Sequence, residues 1–178
     1  YDTAAIGKWG LGTDWNSAAK PSRKGLSVKA SDIDYSEPIY SCREFGFNYE
    51  AVHLWYGKGH YRKQYPRGPG EKAGTFTYGG RWYFDNGVSR GGDPDFASFD
   101  MTDAQMYYIQ HTVEYIKAKG KTGTSPKFNQ RKDAPFFIYY APHIPHYPHV
   151  PAPQFQGKTE MGFYGDFIVE LDWAVGQI

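Results

Sequence analysis

An uninterrupted apolar and aromatic run, Pro135-Phe-Phe-Ile-Tyr-Tyr-Ala141, constrains the fold of this chain more than any other feature. The run lacks the apolar–polar alternation of a strand that is buried on one face only. It therefore predicts a strand buried on both faces, as in a parallel sheet. A second run of small and apolar residues at 3–7 predicts another buried strand, which ends at Gly7 and leads into a loop at 8–12.

A capping box indicates the first helix, with Thr102 as the N-cap and Gln105 three residues later. Apolar residues then recur at helical spacing, and Gly120 is a stop signal. This pattern predicts a helix at 103–119. Its predicted apolar stripe consists of Met106, Ile109, Val113 and Ile116.

A second amphipathic segment is predicted at about 164–178. Its stripe consists of Phe167, Leu171, Val175 and Ile178. Strand, loop and helix, followed by strand, loop and helix, indicate an α/β fold with a mixed, mostly parallel sheet flanked by helices.

Residues 13–100 have no sustained helical period, and Gly and Pro interrupt their aromatic runs. We expect a long loop-rich insertion here, with one β-hairpin that joins 75–78 to 81–84 across Gly79-Gly80. The chain starts inside a predicted strand and ends inside an apolar stripe. We therefore expect residues 1–178 to be the central part of an incomplete domain, truncated at both ends.

Composition excludes several classes of function. A net charge of +1 argues against a strongly basic nucleic-acid binder, and no run approaches the 18 apolar residues of a membrane span. No signal peptide is visible. The single cysteine, Cys42, cannot form an internal disulfide and is expected to be a buried or partly buried small residue.

Candidate chemistry lies in the two loops that follow the predicted buried strands. Ligands of open α/β sheets bind outside the carboxyl ends of the strands. Lys8 lies in the first loop, and His143, His146 and His149 lie in the second, at 142–153. A cation and imidazoles at one sheet edge suit an oxyanion such as sulfate, phosphate or carboxylate. The alternatives are a solvated lysine and an exposed Pro/His loop.

Four motifs, in order, resemble the sulfatase family. They are Gly7-Lys-Trp-Gly-Leu-Gly12, Gly46-Phe-Asn-Tyr49, Pro135-Phe-Phe-Ile-Tyr-Tyr-Ala-Pro-His-Ile-Pro-His146, and Phe155-Gln-Gly-Lys158 with Tyr164-Gly-Asp-Phe-Ile-Val-Glu-Leu-Asp-Trp-Ala-Val-Gly176. The 135–178 block is the most specific, whereas residues 50–130 match weakly. The chain is similar to a central fragment of an arylsulfatase-type, formylglycine-dependent enzyme.

The resemblance implies an alkaline-phosphatase-like fold and hydrolysis of sulfate esters. It assigns Lys8 to the lysine that contacts the sulfate oxygens. It assigns His146 to the histidine that contacts the sulfate and assists the leaving oxygen. It also implies a formylglycine nucleophile, a calcium ion and a periplasmic or secreted location.

The chain departs from the family pattern in three respects. Gly10 stands where the family often has a second histidine. The nucleophile motif and the calcium ligands are both expected outside this chain, so the fragment alone is expected to be inactive. Two partial matches are rejected: Lys20-Pro-Ser-Arg23 has Ala19 at the cysteine position, and Asp85-Asn-Gly87 is predicted to be a turn rather than a metal-binding pair.

A basic, aromatic stretch, Lys58-Gly-His-Tyr-Arg-Lys63, supplies candidate substrate contacts. Besides His143, we assign His53, Trp55, Arg62 and Lys63 to substrate binding, which would attract a sulfated glycan or a small sulfate ester. The alternative for this stretch is a solvated loop. For the whole protein, the alternatives are a non-catalytic relative that binds sulfated glycans and a phosphonate or phosphodiester hydrolase of the same fold.

Overall fold

The computed structural model describes residues 1–9, 42–53, 64–65, 74–75, 83–85, 88–89, 101–122, 126–128, 130–131, 133–146 and 149–178. The strands within these ranges are β1 (Asp2–Lys8), β2 (Tyr49–His53), β3 (Gln64–Tyr65), β4 (Gly74–Thr75), β5 (Tyr83–Asp85), β6 (Val88–Ser89) and β7 (Phe136–Ala141). The α-helices are α1 (Met101–Thr122) and α2 (Gly162–Gln177). Short 3-10 helices occur at Cys42–Phe45, Pro126–Phe128 and Pro153–Phe155.

Five strands form the main sheet, in the order β6-β5-β2-β1-β7. The strand β1 lies parallel to both β2 and β7, whereas β5 and β6 extend the sheet antiparallel. The predicted mixed α/β sheet with flanking helices is thus confirmed. The predicted insertion at 13–100 contributes three of these strands, and the polar residues Glu50 and His53 obscured the apolar pattern of β2.

The core has two parts, on opposite faces of the sheet. Ala4 and Ile6 of β1 face α1, whereas Ala5 lies on the other face, as the two-residue period of a strand requires. The part beneath α1 also contains Tyr49, Ala51, Ala104, Tyr108, Tyr115, Phe128 and Val150. The part on the other face contains Trp9, Cys42 and Val52, so the predicted burial of Cys42 is confirmed.

The helix α1 is longer than predicted. It begins at Met101, before the predicted N-cap Thr102, and continues through Gly120 to Thr122. A glycine costs about 1 kcal/mol in a helix, which tertiary contacts can outweigh. Here the Lys119 ammonium lies 2.9 Å from the buried Asp2 carboxylate and also donates to the Arg131 carbonyl, which anchors the last turns.

The predicted stripes of both helices are partly wrong. In α1, Ile109 of the predicted stripe is buried. The fully buried side chains instead include Ala104, Tyr108 and Tyr115, because aromatic rings of the helix pack against the sheet. In α2, Phe167 is buried, whereas Val175 is 60% exposed and Ile178 is 48% exposed. The inner face of α2 is completed by Glu170 and Ala174 instead.

Two strand predictions are also corrected. β7 is the outermost strand of the described sheet, and Phe137 is 54% exposed, so β7 is not buried on both faces. The predicted hairpin pairing is wrong where it can be described, since Thr75 of β4 pairs with β3 in a separate two-stranded sheet, whereas residues 76–82 with the Gly79-Gly80 turn lie outside the described residues. β5 pairs instead with β2 and β6, and the predicted turn at Asn86-Gly87 lies outside the described residues.

Glycine is required at position 7 for two reasons. Gly7 has φ +113°, and a Cβ placed there would lie 2.1 Å from the Ala141 carbonyl oxygen of β7. A side chain would therefore be strained and would also separate two paired strands. Gly7 directly precedes Lys8, so this close approach fixes the position of that lysine.

Gly7→Ala is expected to destabilise the protein by about 3 kcal/mol or more, because backbone strain and a backbone clash coincide. Urea denaturation measures the free energy of unfolding. Gly120→Ala is the matched control: nothing lies within 4 Å of its added Cβ, so it should stabilise the helix by up to about 1 kcal/mol. A Gly7→Ala protein as stable as wild type would contradict the close β1–β7 pairing.

Candidate functional site

Two predicted site residues end neighbouring parallel strands. Lys8 is the last residue of β1 and His53 the last of β2, and the two are directly paired in register. The Trp9 amide extends this pairing by donating to the His53 carbonyl oxygen at 3.0 Å. Because the strands are parallel, their carboxyl ends lie at one edge of the sheet, where α/β proteins place ligands.

His143 reaches the same edge from β7, which ends two residues earlier at Ala141. Its ring is buried and meets the His53 ring edge-on, with centroids 5.7 Å apart. On its other side, Nε2 of His143 lies 3.3 Å from the Tyr108 hydroxyl of α1. His143 is therefore held between the end of β2 and the helix that covers the sheet.

His146 follows in the turn after β7 and is exposed. Its amide donates to the His143 carbonyl oxygen at 2.7 Å, which ties the two histidines in one backbone turn. His149, by contrast, packs its ring against Tyr164 and Phe167 of α2, with centroid distances of 4.9 and 6.2 Å. His149 thus packs the loop against α2.

Electrostatics link these residues into one group. Burial, together with the positive charges of Lys8 and His146, lowers the pKa of His143 to about 3. Burial, followed by the charges of His143 and Lys8, also holds the pKa of His53 well below its usual range. Lys8, His53, His143 and His146 are called the sheet-end cluster below. Both buried imidazoles are therefore neutral near pH 7. The positive charge beside them comes from Lys8.

Three predicted substrate-binding residues, Trp55, Arg62 and Lys63, lie outside the described residues, as does Gly10. Their assignment stays a prediction. The structure therefore brings together four of the seven predicted site residues, without testing the role of any of them.

Sequence reasoning missed the residues that support the sheet-end cluster. Tyr108 lay off the predicted stripe of α1, yet it contacts His143. Glu170 is fully buried on α2, where its Oε2 accepts from the Ala152 amide at 2.9 Å. The available signal was a single carboxylate within the apolar stretch Phe167-Ile-Val-Glu-Leu171.

A second carboxylate, Asp166, binds the segment that enters α2. It accepts from the amides of Gly157 at 2.7 Å and Thr159 at 2.8 Å. Burial would raise the pKa of Asp166, but these backbone donors outweigh it and hold the pKa below its usual value. Asp166 and Glu170 lie one helical turn apart, so one face of α2 holds the chain segment that precedes it.

The sheet-end cluster does not fit a calcium ion. Calcium prefers carboxylate and carbonyl oxygens, whereas this edge offers an ammonium and imidazoles. Among the described residues, no group of three or more His, Cys, Asp or Glu side chains could hold a metal ion. Within the same part of the chain, no helix is long and apolar enough to cross a bilayer.

Comparison with known sequences finds sulfatases. The chain is 47% identical over 47 residues, 26% of its length and 9% of the relative's, to an N-acetylgalactosamine-6-O-sulfatase of Bacteroides thetaiotaomicron. It is 47% identical over 49 residues, 28% of its length and 10% of the relative's, to human arylsulfatase A. The matches thus span about a tenth of each curated relative. No protein-family model matches the chain.

Comparison with solved structures extends the similarity over nearly the whole chain. A sulfatase structure, from work on the metabolism of multiple glycosaminoglycans by Bacteroides thetaiotaomicron, aligns with a TM-score of 0.56 and 25% identity. The alignment covers 99% of this chain and 38% of that one. The chain is thus similar to sulfatases in sequence over about a quarter of its length, and its fold is the alkaline-phosphatase-like fold of a sulfatase, in part.

Proposed function

We propose that this chain is the central part, 1–178, of a sulfatase catalytic domain, in which Lys8 and His146 act on the sulfate group of an ester. One observation carries the proposal. In a chain similar to sulfatases, the sheet-end cluster gathers a lysine and three histidines at the carboxyl edge of the sheet. The similarity to sulfatases supports sulfate-ester hydrolysis in general.

Lys8 is proposed to stabilise the charge that develops during sulfuryl transfer. Negative charge spreads over the sulfuryl oxygens, and a preorganised cation beside them lowers the barrier. The register of β1 with β2 and β7 holds the lysine backbone rigidly. The neutral imidazoles of His53 and His143 line the same edge without adding charge, and both are proposed to contact the substrate.

His146 is proposed to contact the sulfate and to assist the departure of the leaving oxygen. Its exposed position lets it reach a substrate, and its amide bond to His143 ties it to the buried part of the cluster. A histidine can donate a proton near neutral pH, which matters most for a poor leaving group.

The proposed substrate is a sulfated carbohydrate or an aryl sulfate. The names of the relatives, one for a sulfated sugar and one for aryl sulfates, support both classes. Trp55, Arg62 and Lys63 are proposed to extend the substrate cleft, since basic and aromatic side chains suit an anionic sugar. No nucleic acid or membrane is proposed as a partner.

The reaction also requires groups that this chain does not supply. The formylglycine nucleophile and the calcium ligands are proposed to lie in the other parts of the same enzyme, so the chain alone should be inactive. A periplasmic or secreted location is proposed from the same similarity to sulfatases.

Lys8→Ala in the complete enzyme should lower turnover about 100- to 1000-fold, which corresponds to about 3–4 kcal/mol of transition-state stabilisation. The free energy of unfolding should change by only a few tenths of a kcal/mol. Steady-state kinetics and urea denaturation measure both effects. Lys117→Ala, on the exposed face of α1, is the control. Wild-type turnover by Lys8→Ala would remove this lysine from the site.

His146→Ala should lower turnover of an alkyl or sugar sulfate by a similar factor and that of a nitrophenyl sulfate much less. The reason is that the activated ester leaves without protonation. Comparing kcat on the two esters measures the difference. Wild-type rates on both esters would make His146 a scaffold residue, and equal losses would exclude a role in leaving-group departure.

The His143 ring should remain neutral from pH 8 down to pH 5, because burial holds its pKa near 3. Since protonation is suppressed in the folded state, the stability that depends on neutral His143 is complete above about pH 6.5 and decreases as the pH falls below that value. An NMR titration of the imidazole Cε1–H, assigned with His143→Asn, tests this. A midpoint near pH 6.5 would contradict the buried, neutral ring.

A further inference from the structure

A fully buried carboxylate lies at the base of the loop that carries His146. This loop is called the histidine loop, and its residues 142–146 and 149–152 are described. Glu170 of α2 accepts from the Ala152 amide through Oε2, at 2.9 Å. Its other oxygen, Oε1, is buried without a hydrogen-bond partner among the described residues.

The same carboxylate also acts electrostatically on β7, the strand that leads into the loop. Tyr140 of β7 precedes His143 by three residues, and its hydroxyl accepts from Gln105 Nε2 of α1 at 2.6 Å. Burial raises the pKa of Tyr140, and the negative charge of Glu170 raises it further. Glu170 therefore binds the backbone after the histidines and acts electrostatically on Tyr140, which precedes them.

Glu170 is costly to keep in this position. Among the described residues, its hydrogen bond comes from the Ala152 amide, and no ion pair with a cation is found. Burial raises its pKa to about 7, with the Ala152 amide offsetting part of the effect. A buried carboxylate without a cation destabilises the folded state relative to an apolar side chain of similar volume. Stability alone therefore does not account for a glutamate here.

We propose that Glu170 is a positioning residue that holds the histidine loop through the Ala152 amide and so sets the place of His146 at the sheet end. The inference rests on the proposed function, since it concerns the same site. Asp166 binds a different part of the chain, because its partners Gly157 and Thr159 lie after the histidine loop. Glu170, by contrast, binds Ala152 within the histidine loop itself.

The test is a double-mutant cycle in the complete enzyme with Glu170→Ala, His146→Ala and the double variant. If Glu170 acts through His146, Glu170→Ala should lower kcat on an alkyl sulfate about 10- to 100-fold, the scale of a displacement of about 1 Å, and on a nitrophenyl sulfate less than about threefold. The double variant should be no slower than His146→Ala. Asp172→Ala, on the exposed face of α2, is the control and should match wild type.

Glu170→Gln separates positioning from charge. The glutamine carbonyl oxygen can still accept from the Ala152 amide, so kcat on both esters should stay within about threefold of wild type. Ala152→Pro removes the donor from the other side of the same bond. Ala152 has φ −60°, which proline adopts, so this variant should reproduce the ester-selective loss. If Glu170→Ala does not fold, Ala152→Pro decides the question.

The outcomes distinguish the two proposals. Equal losses on both esters, or additive effects in the double variant, would overturn the role of Glu170 while leaving His146 in place. Wild-type kcat in both Glu170→Ala and Ala152→Pro would overturn it as well. If His146→Ala itself keeps wild-type rates, the proposed function fails, and the role of Glu170 fails with it.

Discussion

The parallel pairing of β1 with β2 and β7 is the interaction on which the rest of the structure depends. It brings the carboxyl ends of three strands to one edge, where Lys8, His53 and the start of the histidine loop meet. The pairing is close because Gly7 has no side chain: a Cβ there would lie 2.1 Å from the Ala141 carbonyl oxygen. A single glycine therefore couples the stability of the sheet to the geometry of the proposed site.

The two ends of β1 are fixed by different kinds of interaction. At its start, buried Asp2 accepts from Lys119 and Arg131, which ties α1 and the segment before β7 to the sheet. Burial would raise the pKa of Asp2, but these two cationic donors outweigh it and lower the pKa. At its end, aromatic and imidazole rings surround the strand instead. The charge-paired start of the strand serves stability, whereas its end carries Lys8, the cation of the proposed chemistry.

The sequence predicted the fold class because its signals were local. The runs at 3–7 and 135–141 gave the two strands that flank the proposed site, and the helical periods gave α1 and α2. The errors arose where tertiary contacts outweighed local preference. Lys119 anchors α1 past Gly120, β5 pairs with β2 rather than with β4, and the outer face of β7 is partly exposed.

The sequence by itself determined which residues follow the buried strands, and thus that Lys8 and the histidines of 142–153 would be found near the sheet edge. Only the tertiary structure decided that His143 is a buried, neutral ring between His53 and Tyr108. It alone decided that Glu170 lies beneath the histidine loop. The physical reason is distance along the chain: strand and helix periods depend on neighbouring residues, whereas burial and pKa depend on residues that folding brings together.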